Sequence, residues 1–479
     1  MLEKVFKLKS NGTTVRTELM AGLTTFMTMA YIIALNPNLL TNFGAEGTEL
    51  WNGVFMATCI ASAVGMFCMA FIANKPFALA PGMGLNSFFA VVVGNIVTMT
   101  GMTYVESFQS ALIIILAEGI VFIVLSLFNV REKIVESIPL GIRLGISPAI
   151  GLMLMNIGLG SNVSIYAAGN NFETPFFVMR DFFGALTPSV LQTAMGAEGY
   201  ATMILSTITM FVGLFVIIAM DKKGVKGAVL IGMLVASVVY WAGSFLFLNT
   251  NPFASLATAS FLPPVKDMVD TTLFKFNFAG FMEIGWFTII TLVITFCIID
   301  MFDTIGTLVG TASRAGMVDE NGNMPNMKEA LLSDAIATVA GACTGTSTVT
   351  TFVESASGVE AGGRTGLTAL ATGVLFLACI FIAPIAAIIP AAATSSALIY
   401  VGVLMLQGLS KVDFKDMDQM VPVFLMLLAM PVSGSIGHGI GLGLIAYTII
   451  KIFSGKFKEV SILTYVISAL FIVKFFLVV

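Results

Sequence analysis

Long apolar stretches recur along nearly the whole chain and alternate with short polar segments. A helix that crosses a bilayer needs about 20 apolar residues, and eleven stretches qualify as spans. They cover 19–40, 53–73, 109–128, 140–160, 202–220, 226–248, 284–310, 365–388, 393–409, 420–434 and 436–453. Three shorter or broken apolar pieces lie at 82–98, 329–343 and 350–360, and a last apolar run covers 461–479. The pattern predicts an all-α polytopic membrane protein with about fourteen segments and one extra C-terminal element, which either spans the membrane or lies on its surface.

Composition supports the membrane assignment. Hydrophobic residues make up 57% of the 479 residues and charged residues only 10%, whereas a soluble domain carries roughly 25% charged residues. These values exclude an ordinary soluble enzyme, a nucleic-acid-binding protein and a disordered chain. A single histidine argues against a histidine metal site or a Ser-His-Asp triad. We therefore expect a protein that is not an enzyme and has no metal.

Basic residues indicate the orientation of the chain. The polar segment 1–18 carries Lys4, Lys7, Lys9 and Arg16 and lacks the pattern of a cleavable signal. With fourteen elements that begin inside, the later basic clusters, Arg143 among them, also fall on the cytoplasmic side. The prediction is a multi-pass protein of the cell membrane with a cytoplasmic N-terminus.

The two halves of the chain resemble each other weakly. Ser137-Ile138-Pro139 and Ile388-Ile389-Pro390 each open a similar apolar segment. Seven elements precede residue 250 and seven begin near 284. Because seven is odd, the second copy must be inverted in the membrane, and inverted repeats are typical of transporters.

Two broken elements occupy matching places in these halves, third and tenth in order. The first contains Pro81 and Gly82, which interrupt a helix, and the second is a Thr-rich run over 344–351. Extended backbone at membrane depth needs a hydrogen-bonding partner, because lipid provides none. We expect the two pieces to pair as short antiparallel strands, with the half-helix that follows each one pointing its N-terminus at a common site.

Acidic residues within the spans are the candidates for chemistry, because a charge in the membrane is costly and usually functional. Asp300 and Asp303 are three apart and share a helix face, and Glu354 lies in the tenth element. For Asp303 and Glu354 we favour a ligand-binding or proton-carrying role over packing or helix capping. For Asp300 a role in supporting a neighbouring residue is as natural as a direct role. Asn86, at the equivalent turn of the third element, either contacts the ligand or caps its half-helix. For Glu118 we favour a structural role, in a hydrogen bond between helices.

The sign of these charges narrows the ligand class. Half-helix N-termini alone attract anions, but this site adds carboxylates. Two carboxylates suit a ligand with N–H donors, such as a heterocyclic base. They also suit proton coupling, because burial and mutual repulsion favour the binding of a proton. No GxxxxGK[ST] motif is present, which argues against transport driven by ATP.

Four motifs resemble the AzgA-like purine permeases of the nucleobase/ascorbate transporter family. They are LTTFMTMAYIIALNPNLL, APGMGLNSFFA, DMFDTIGTLVG and TGTSTVTTFVESASGV, in order within 1–453. The resemblance implies fourteen segments in two inverted seven-segment repeats, with a core domain and a gate domain. The core is expected in 19–128 and 284–388 and the gate in 129–250 and 389–453, flanked by the N-terminal segment 1–18 and the extra helix 461–479.

The resemblance also implies roles for individual residues. Asp303, in the acid-x-Ile-Gly pattern Asp303-Thr304-Ile305-Gly306, inherits a base-binding role, and Glu354 inherits the second one. Phe88 is the expected aromatic wall beside the base, and Phe352 is a weaker second wall. The proton is the expected coupling ion, without any other cofactor. The residues for proton coupling or for supporting the site are Asp300, Thr304 and Glu118.

Departures from the family pattern point to the substrate. Thr307 stands where uracil carriers have a histidine, and Asp300 is additional relative to them. Both features favour carriers of hypoxanthine, guanine or adenine. The sequence does not decide which purine is preferred. The oligomeric state also stays open, and a homodimer is one possible arrangement.

Two hypotheses follow from different classes of protein. The first is a proton-coupled purine importer in which the core moves against the gate, an elevator-like step. The second is an anion transporter or channel of the same inverted-repeat architecture, against which the two acids argue. An intramembrane aspartyl enzyme is a more distant third, because its aspartates should come from separate helices.

Overall fold

The computed structural model describes residues 2–128, 138–160, 166–168, 180–182, 192–257, 259–314, 317, 324–433 and 436–477. Part of the predicted segment 129–250 and the last two residues of the predicted helix 461–479 therefore lie outside the described residues.

The described residues of the first half form helices and three short strands. In order, it contains α1 (Leu2–Phe6), α2 (Val15–Met29), α3 (Ile32–Leu40), α4 (Thr48–Cys68), β1 (Leu79–Pro81), α5 (Met83–Thr100), α6 (Tyr104–Leu127), α7 (Leu140–Gly160), β2 (Tyr166–Ala168), β3 (Arg180–Phe182), α8 (Thr193–Lys222) and α9 (Ala228–Phe247). Helix α4 continues as a π-helical turn, Met69–Ala73, and ends at Asn74, whose φ of 50° reverses the chain. The extended backbone that follows leads directly into β1.

The second half begins with a loop that contains two short helices, α10 and α11. Its elements are α10 (Val265–Thr271), α11 (Phe278–Glu283), α12 (Trp286–Arg314), α13 (Met327–Thr344), β4 (Val349–Thr351), α14 (Ser355–Glu360), α15 (Gly366–Ala378), α16 (Ala383–Ala387), α17 (Ala391–Met405), α18 (Met417–Ser433), α19 (Ile436–Phe453) and α20 (Ile462–Leu477). Gly345 ends α13 at a φ of 107°. This left-handed turn, which glycine adopts at little cost, carries the chain back into the membrane interior towards β4.

Within the described residues, eleven helical stretches are long and apolar enough to cross a membrane. The segment predicted as a short piece at 82–98 is a complete helix of 18 residues, α5, whereas the span predicted at 420–434 is the shorter α18, with 17 residues. Large apolar side chains such as Phe215, Phe245 and Phe424 are exposed on the outer helix surfaces, at 63%, 47% and 59%. Such surfaces suit lipid rather than water.

Strands β1 and β4 cross at the centre of the protein. They pair antiparallel, with Leu79 opposite Thr351, Ala80 opposite Thr350 and Pro81 opposite Val349. Both strands are fully buried, so each one satisfies the backbone groups that the other would otherwise leave without a partner. Each strand continues into a helix, β1 into α5 and β4 into α14. A second antiparallel pair, β2 with β3, lies between α7 and α8.

The long helices pack in two groups. In the first group, α15 packs against α2 and α4, and α13 packs against α4 and α6. Helices α5 and α12 also pack against α6, and the short α14 packs against α2. In the second group, α7 packs against both α17 and α18, α18 packs against α19, and α8 and α9 pack against α17. The helices of the second group approach closely at small residues, since a Cβ on Gly402 would lie only 2.6 Å from the carbonyl oxygen of Gly151. The crossing strands lie within the first group.

Candidate functional site

A cavity of about 470 Å³ lies where the β1–β4 crossing faces the second helix group. Its lining from the first group comprises Tyr31, Gly82, Met83, Gly84, Asp303, Thr307, Thr311, Thr351, Phe352, Val353, Glu354 and Ala356. Its lining from the second group comprises Arg143, Ile146, Ser147, Ile150, Val401, Leu404 and Met405, followed by Gln407 and Gly408. The volume falls within the range of pockets that hold small ligands.

Asp303 reaches this cavity from the middle of α12. Its Oδ2 lies close to the turn between β1 and α5, because a Cβ added to Gly82 would be 3.5 Å from that oxygen. The same Cβ would lie 2.6 Å from Cγ2 of Thr350, so the crossing leaves no room for a side chain at Gly82. The first residues of α5 thus come close to a carboxylate that faces the cavity.

Glu354 reaches the cavity from the start of α14, for which it is the N-cap residue. Its Oε1 accepts a 2.7 Å hydrogen bond from the hydroxyl of Tyr31. Tyr31 lies in the break between α2 and α3 and is fully buried. A hydrogen bond to a charged acceptor is stronger than a neutral one, so Tyr31 fixes the position of the second carboxylate.

The predicted aromatic walls separate in the structure. Phe352 lines the cavity directly beside Glu354. Phe88 does not line it, and instead packs against Phe296, with ring centroids 4.6 Å apart. Asn86 does not line it either, since its Nδ2 donates to the carbonyl of Pro81 at 3.2 Å and its Oδ1 accepts from the hydroxyl of Ser347. Asn86 therefore ties the two broken elements together.

A second set of acidic residues lies behind the cavity. The hydroxyl of Thr304 is 3.1 Å from Oδ1 of Asp300, 3.1 Å from Oδ2 of Asp334 and 2.5 Å from the hydroxyl of Thr350. Asp334 also accepts a hydrogen bond from the backbone N–H of Thr351 at 3.2 Å. Asp300 and Thr304 lie on the same helix as Asp303, and these contacts connect that helix to α13 and to the crossing strands.

Glu118 lies away from the cavity but contacts the crossing. Its Oε2 accepts a 2.7 Å hydrogen bond from the hydroxyl of Thr348. This contact joins α6 to the segment that enters β4.

Sequence reasoning missed two side chains of the cavity. Tyr31 is a polar aromatic inside the apolar run MAYIIAL, and nothing nearby in the sequence indicates its partner. Arg143 stands three residues into a predicted span, where we used it only as evidence for orientation. A cation inside an apolar segment is as costly as an acid, so this signal could have marked it.

The cavity combines opposite charges from two sides. The first helix group supplies two carboxylates, which only accept hydrogen bonds when ionised, and the second supplies a guanidinium, which only donates. The site can therefore bind a small planar molecule that has N–H donors on one edge and acceptors on another.

The chain resembles known permeases over almost its entire length. A family described as a permease family, Xan_ur_permease, matches residues 16–433. Adenine permease AdeP of Escherichia coli (strain K12) is 38% identical over 474 residues, covering 99% of this chain and 96% of that protein. Guanine/hypoxanthine permease PbuO of Bacillus subtilis (strain 168) is 37% identical over 477 residues, covering 99% of this chain and 100% of that protein. Among solved structures, the transmembrane domain of a cyanobacterium bicarbonate transporter BicA matches with a TM-score of 0.60 and 14% identity, covering 88% of this chain and 97% of that one.

Proposed function

Because the chain belongs to the Xan_ur_permease family of permeases, we propose that it is a secondary transporter that imports purine nucleobases together with protons. The substrate class rests on relatives named as adenine and guanine/hypoxanthine permeases, which align with nearly the full chain. The observation that carries the proposal is the pair of carboxylates, Asp303 and Glu354, that faces one cavity. A purine offers the N–H groups that such acceptors bind.

The residues of the site have different roles in this proposal. Asp303 and Glu354 accept hydrogen bonds from the base, and Phe352 packs against its ring. Asn86 and Phe88, which do not line the cavity, hold the strand crossing and α5 in place. Asp300, Thr304 and Glu118 support the site from behind, and no cofactor other than the coupled proton takes part.

Proton coupling follows from the number of acids near one ligand. A base that enters the cavity displaces the water that screens the repulsion between these acids. Protonation of one acid relieves that repulsion, so the loaded carrier favours the uptake of a proton. The ion gradient rather than a nucleotide then supplies the energy.

The two helix groups suggest how the site alternates between the two sides of the membrane. We assign the first group to a core formed by 19–128 and 284–388, and the second to a gate formed by 129–250 and 389–453. Together they make fourteen segments in two inverted repeats. The core carries both acids and moves against the gate in an elevator-like step. With the N-terminus in the cytoplasm, Thr311 near the end of α12 and Gln407 just after α17 lie towards the inside. Both residues line the cavity, which supports an inward-facing state.

An anion transporter of the same architecture is the second candidate function. The similarity to a bicarbonate transporter domain shows the fold alone, since the identity is 14%, but Arg143 gives the cavity a cation. Two carboxylates in the same cavity oppose a small inorganic anion, because like charges repel strongly where water is scarce.

Uptake by the purified protein in proteoliposomes separates the two candidates. We expect radiolabelled hypoxanthine to accumulate under an inward proton gradient and radiolabelled sulfate to remain at the level of protein-free liposomes. A protonophore should collapse hypoxanthine accumulation. Sulfate uptake without purine uptake would overturn the proposal in favour of the anion carrier.

A further inference from the structure

Arg143 is the one basic residue among the described residues that line the cavity. It lies in the first turn of α7, which belongs to the second helix group, whereas the two carboxylates belong to the first. Its Nε is buried and has no hydrogen-bond partner among the described residues. A buried donor without a partner loses the hydrogen bond that it would make to water, and a ligand in the cavity can restore that bond.

The guanidinium group can distinguish purines by their acceptors. Arginine offers a planar fork of donors and no acceptor. Hypoxanthine and guanine present two neighbouring acceptors, O6 and N7, and arginine is the common bidentate partner of that edge. Adenine presents N7 beside an amine, N6, so a donor would face a donor. The relatives do not decide between these bases, because proteins named for adenine and for guanine/hypoxanthine are equally similar to this chain.

Resting on the proposed function, we infer that Arg143 determines substrate specificity by donating to O6 and N7 of a 6-oxopurine. The carboxylates of Asp303 and Glu354 accept the N–H groups elsewhere on the base. The base thereby bridges the helix group that carries the acids and the helix group that carries the arginine. The protein is then a carrier of hypoxanthine and guanine in preference to adenine.

A comparison of hypoxanthine with 7-deazahypoxanthine tests this contact, because the analogue replaces N7 with a C–H group. Binding is measured by calorimetry on the purified protein, so that no turnover is required. We expect the wild-type protein to bind hypoxanthine about ten- to a hundred-fold more tightly than the analogue. In Arg143→Met, which removes every donor, the ratio should fall close to one.

A second variant tests whether the preference can be changed from hypoxanthine to adenine. Glutamine pairs with N6 and N7 of adenine through one acceptor and one donor, so Arg143→Gln should raise the affinity for adenine relative to hypoxanthine. The matched control is Lys223→Met, which removes an exposed charge after α8 and should leave both ratios at their wild-type values.

The outcomes separate this inference from the proposed function. If the wild-type protein binds none of the purines, the proposed function fails. If it binds purines but Arg143→Met keeps the wild-type ratio, the inference is overturned and the proposed function stands. Loss of all binding by monodisperse Arg143→Met would also overturn the inference, because the carboxylate contacts should persist.

Discussion

The hydroxyl of Tyr31 and the carboxylate of Glu354 form a 2.7 Å hydrogen bond between residues that are 323 positions apart. The bond joins the break between α2 and α3 to the start of α14. Both residues line the cavity, so the position of one proposed binding group depends on an element from the opposite half of the chain.

Tyr31→Phe should therefore weaken purine binding without unfolding the protein. A hydrogen bond to a charged group contributes about 1.5–3 kcal/mol, so we expect a loss of roughly tenfold or more in affinity for hypoxanthine, measured by calorimetry. The control is Tyr104→Phe, which removes a 2.9 Å hydrogen bond to the carbonyl of Leu40 outside the cavity. Equal effects of the two substitutions would contradict a binding role for Tyr31.

Asp303→Asn should abolish purine uptake while the protein still inserts and folds. The substitution removes the charge that accepts a base N–H and costs about ten- to a hundred-fold in affinity. Uptake of labelled hypoxanthine into proteoliposomes is the measurement, with size-exclusion chromatography to check folding. Asp270→Asn, an exposed change in α10, is the matched control. Wild-type affinity in Asp303→Asn would remove that residue from the site.

The sequence predicts the acids of this site and misses their neighbours for a physical reason. Asp303 and Glu354 can be recognised in the sequence because a charged residue inside an apolar run is costly and usually functional. Pro81 and Gly82 indicate in the same way where the helix is interrupted. The contacts of Asn86 depend on how α5 is rotated about its own axis, which spacing alone does not reveal. The contact between Tyr31 and Glu354 depends on how the two halves of the chain pack together, and no local sequence pattern predicts that packing.

The close contact between helices of the second group predicts that the stability of the protein is sensitive to added side-chain volume there. A Cβ on Gly402 would lie 2.6 Å from the carbonyl oxygen of Gly151 and 2.8 Å from Cγ of Met155. Gly402→Ala should then destabilise the protein by about 1–3 kcal/mol, as overpacking does, and lower the melting temperature of the purified protein. Gly94→Ala, which would meet nothing within 4 Å, should leave it unchanged or raise it. A Gly402→Ala protein as stable as wild type would show that α7 and α17 can separate freely.

A buried ion pair near the end of α19 should contribute more to the stability of the protein than an exposed ion pair does. Nζ of Lys451 lies 2.6 Å from Asp418 and 2.7 Å from Glu459, with only 9% of the lysine side chain exposed. We expect Lys451→Met to cost about 2 kcal/mol, between the values for exposed and fully buried pairs. The comparison is Lys226→Met, whose partner Glu360 is 54% exposed. Thermal unfolding of both variants gives the test, and equal melting temperatures would refute the distinction.

The last prediction distinguishes Glu354, to which we assign recognition of the base, from the acids to which we assign the coupled proton. Glu354 accepts a hydrogen bond from Tyr31, which stabilises its carboxylate form. Asp300 and Asp334 both lie 3.1 Å from the single hydroxyl of Thr304, and that hydroxyl has only one hydrogen to donate. A proton shared among Asp300, Asp334 and the neighbouring Asp303 relieves the repulsion between them, and it belongs to the group rather than to one residue.

Glu354→Gln should therefore change which purines compete for uptake, whereas Asp300→Asn should change how uptake depends on pH. Wild-type uptake is expected to rise as the external pH falls, because the proposed transported state carries a proton. Asp300→Asn removes one negative charge near that proton and weakens its binding, so the rise should shift to lower pH while the ranking of purines stays the same. The measurement is a competition panel of guanine, hypoxanthine, adenine, xanthine and uracil at several pH values on both variants. If Glu354→Gln moves only the pH profile and Asp300→Asn moves only the ranking, then Glu354 holds the proton and Asp300 reads the base.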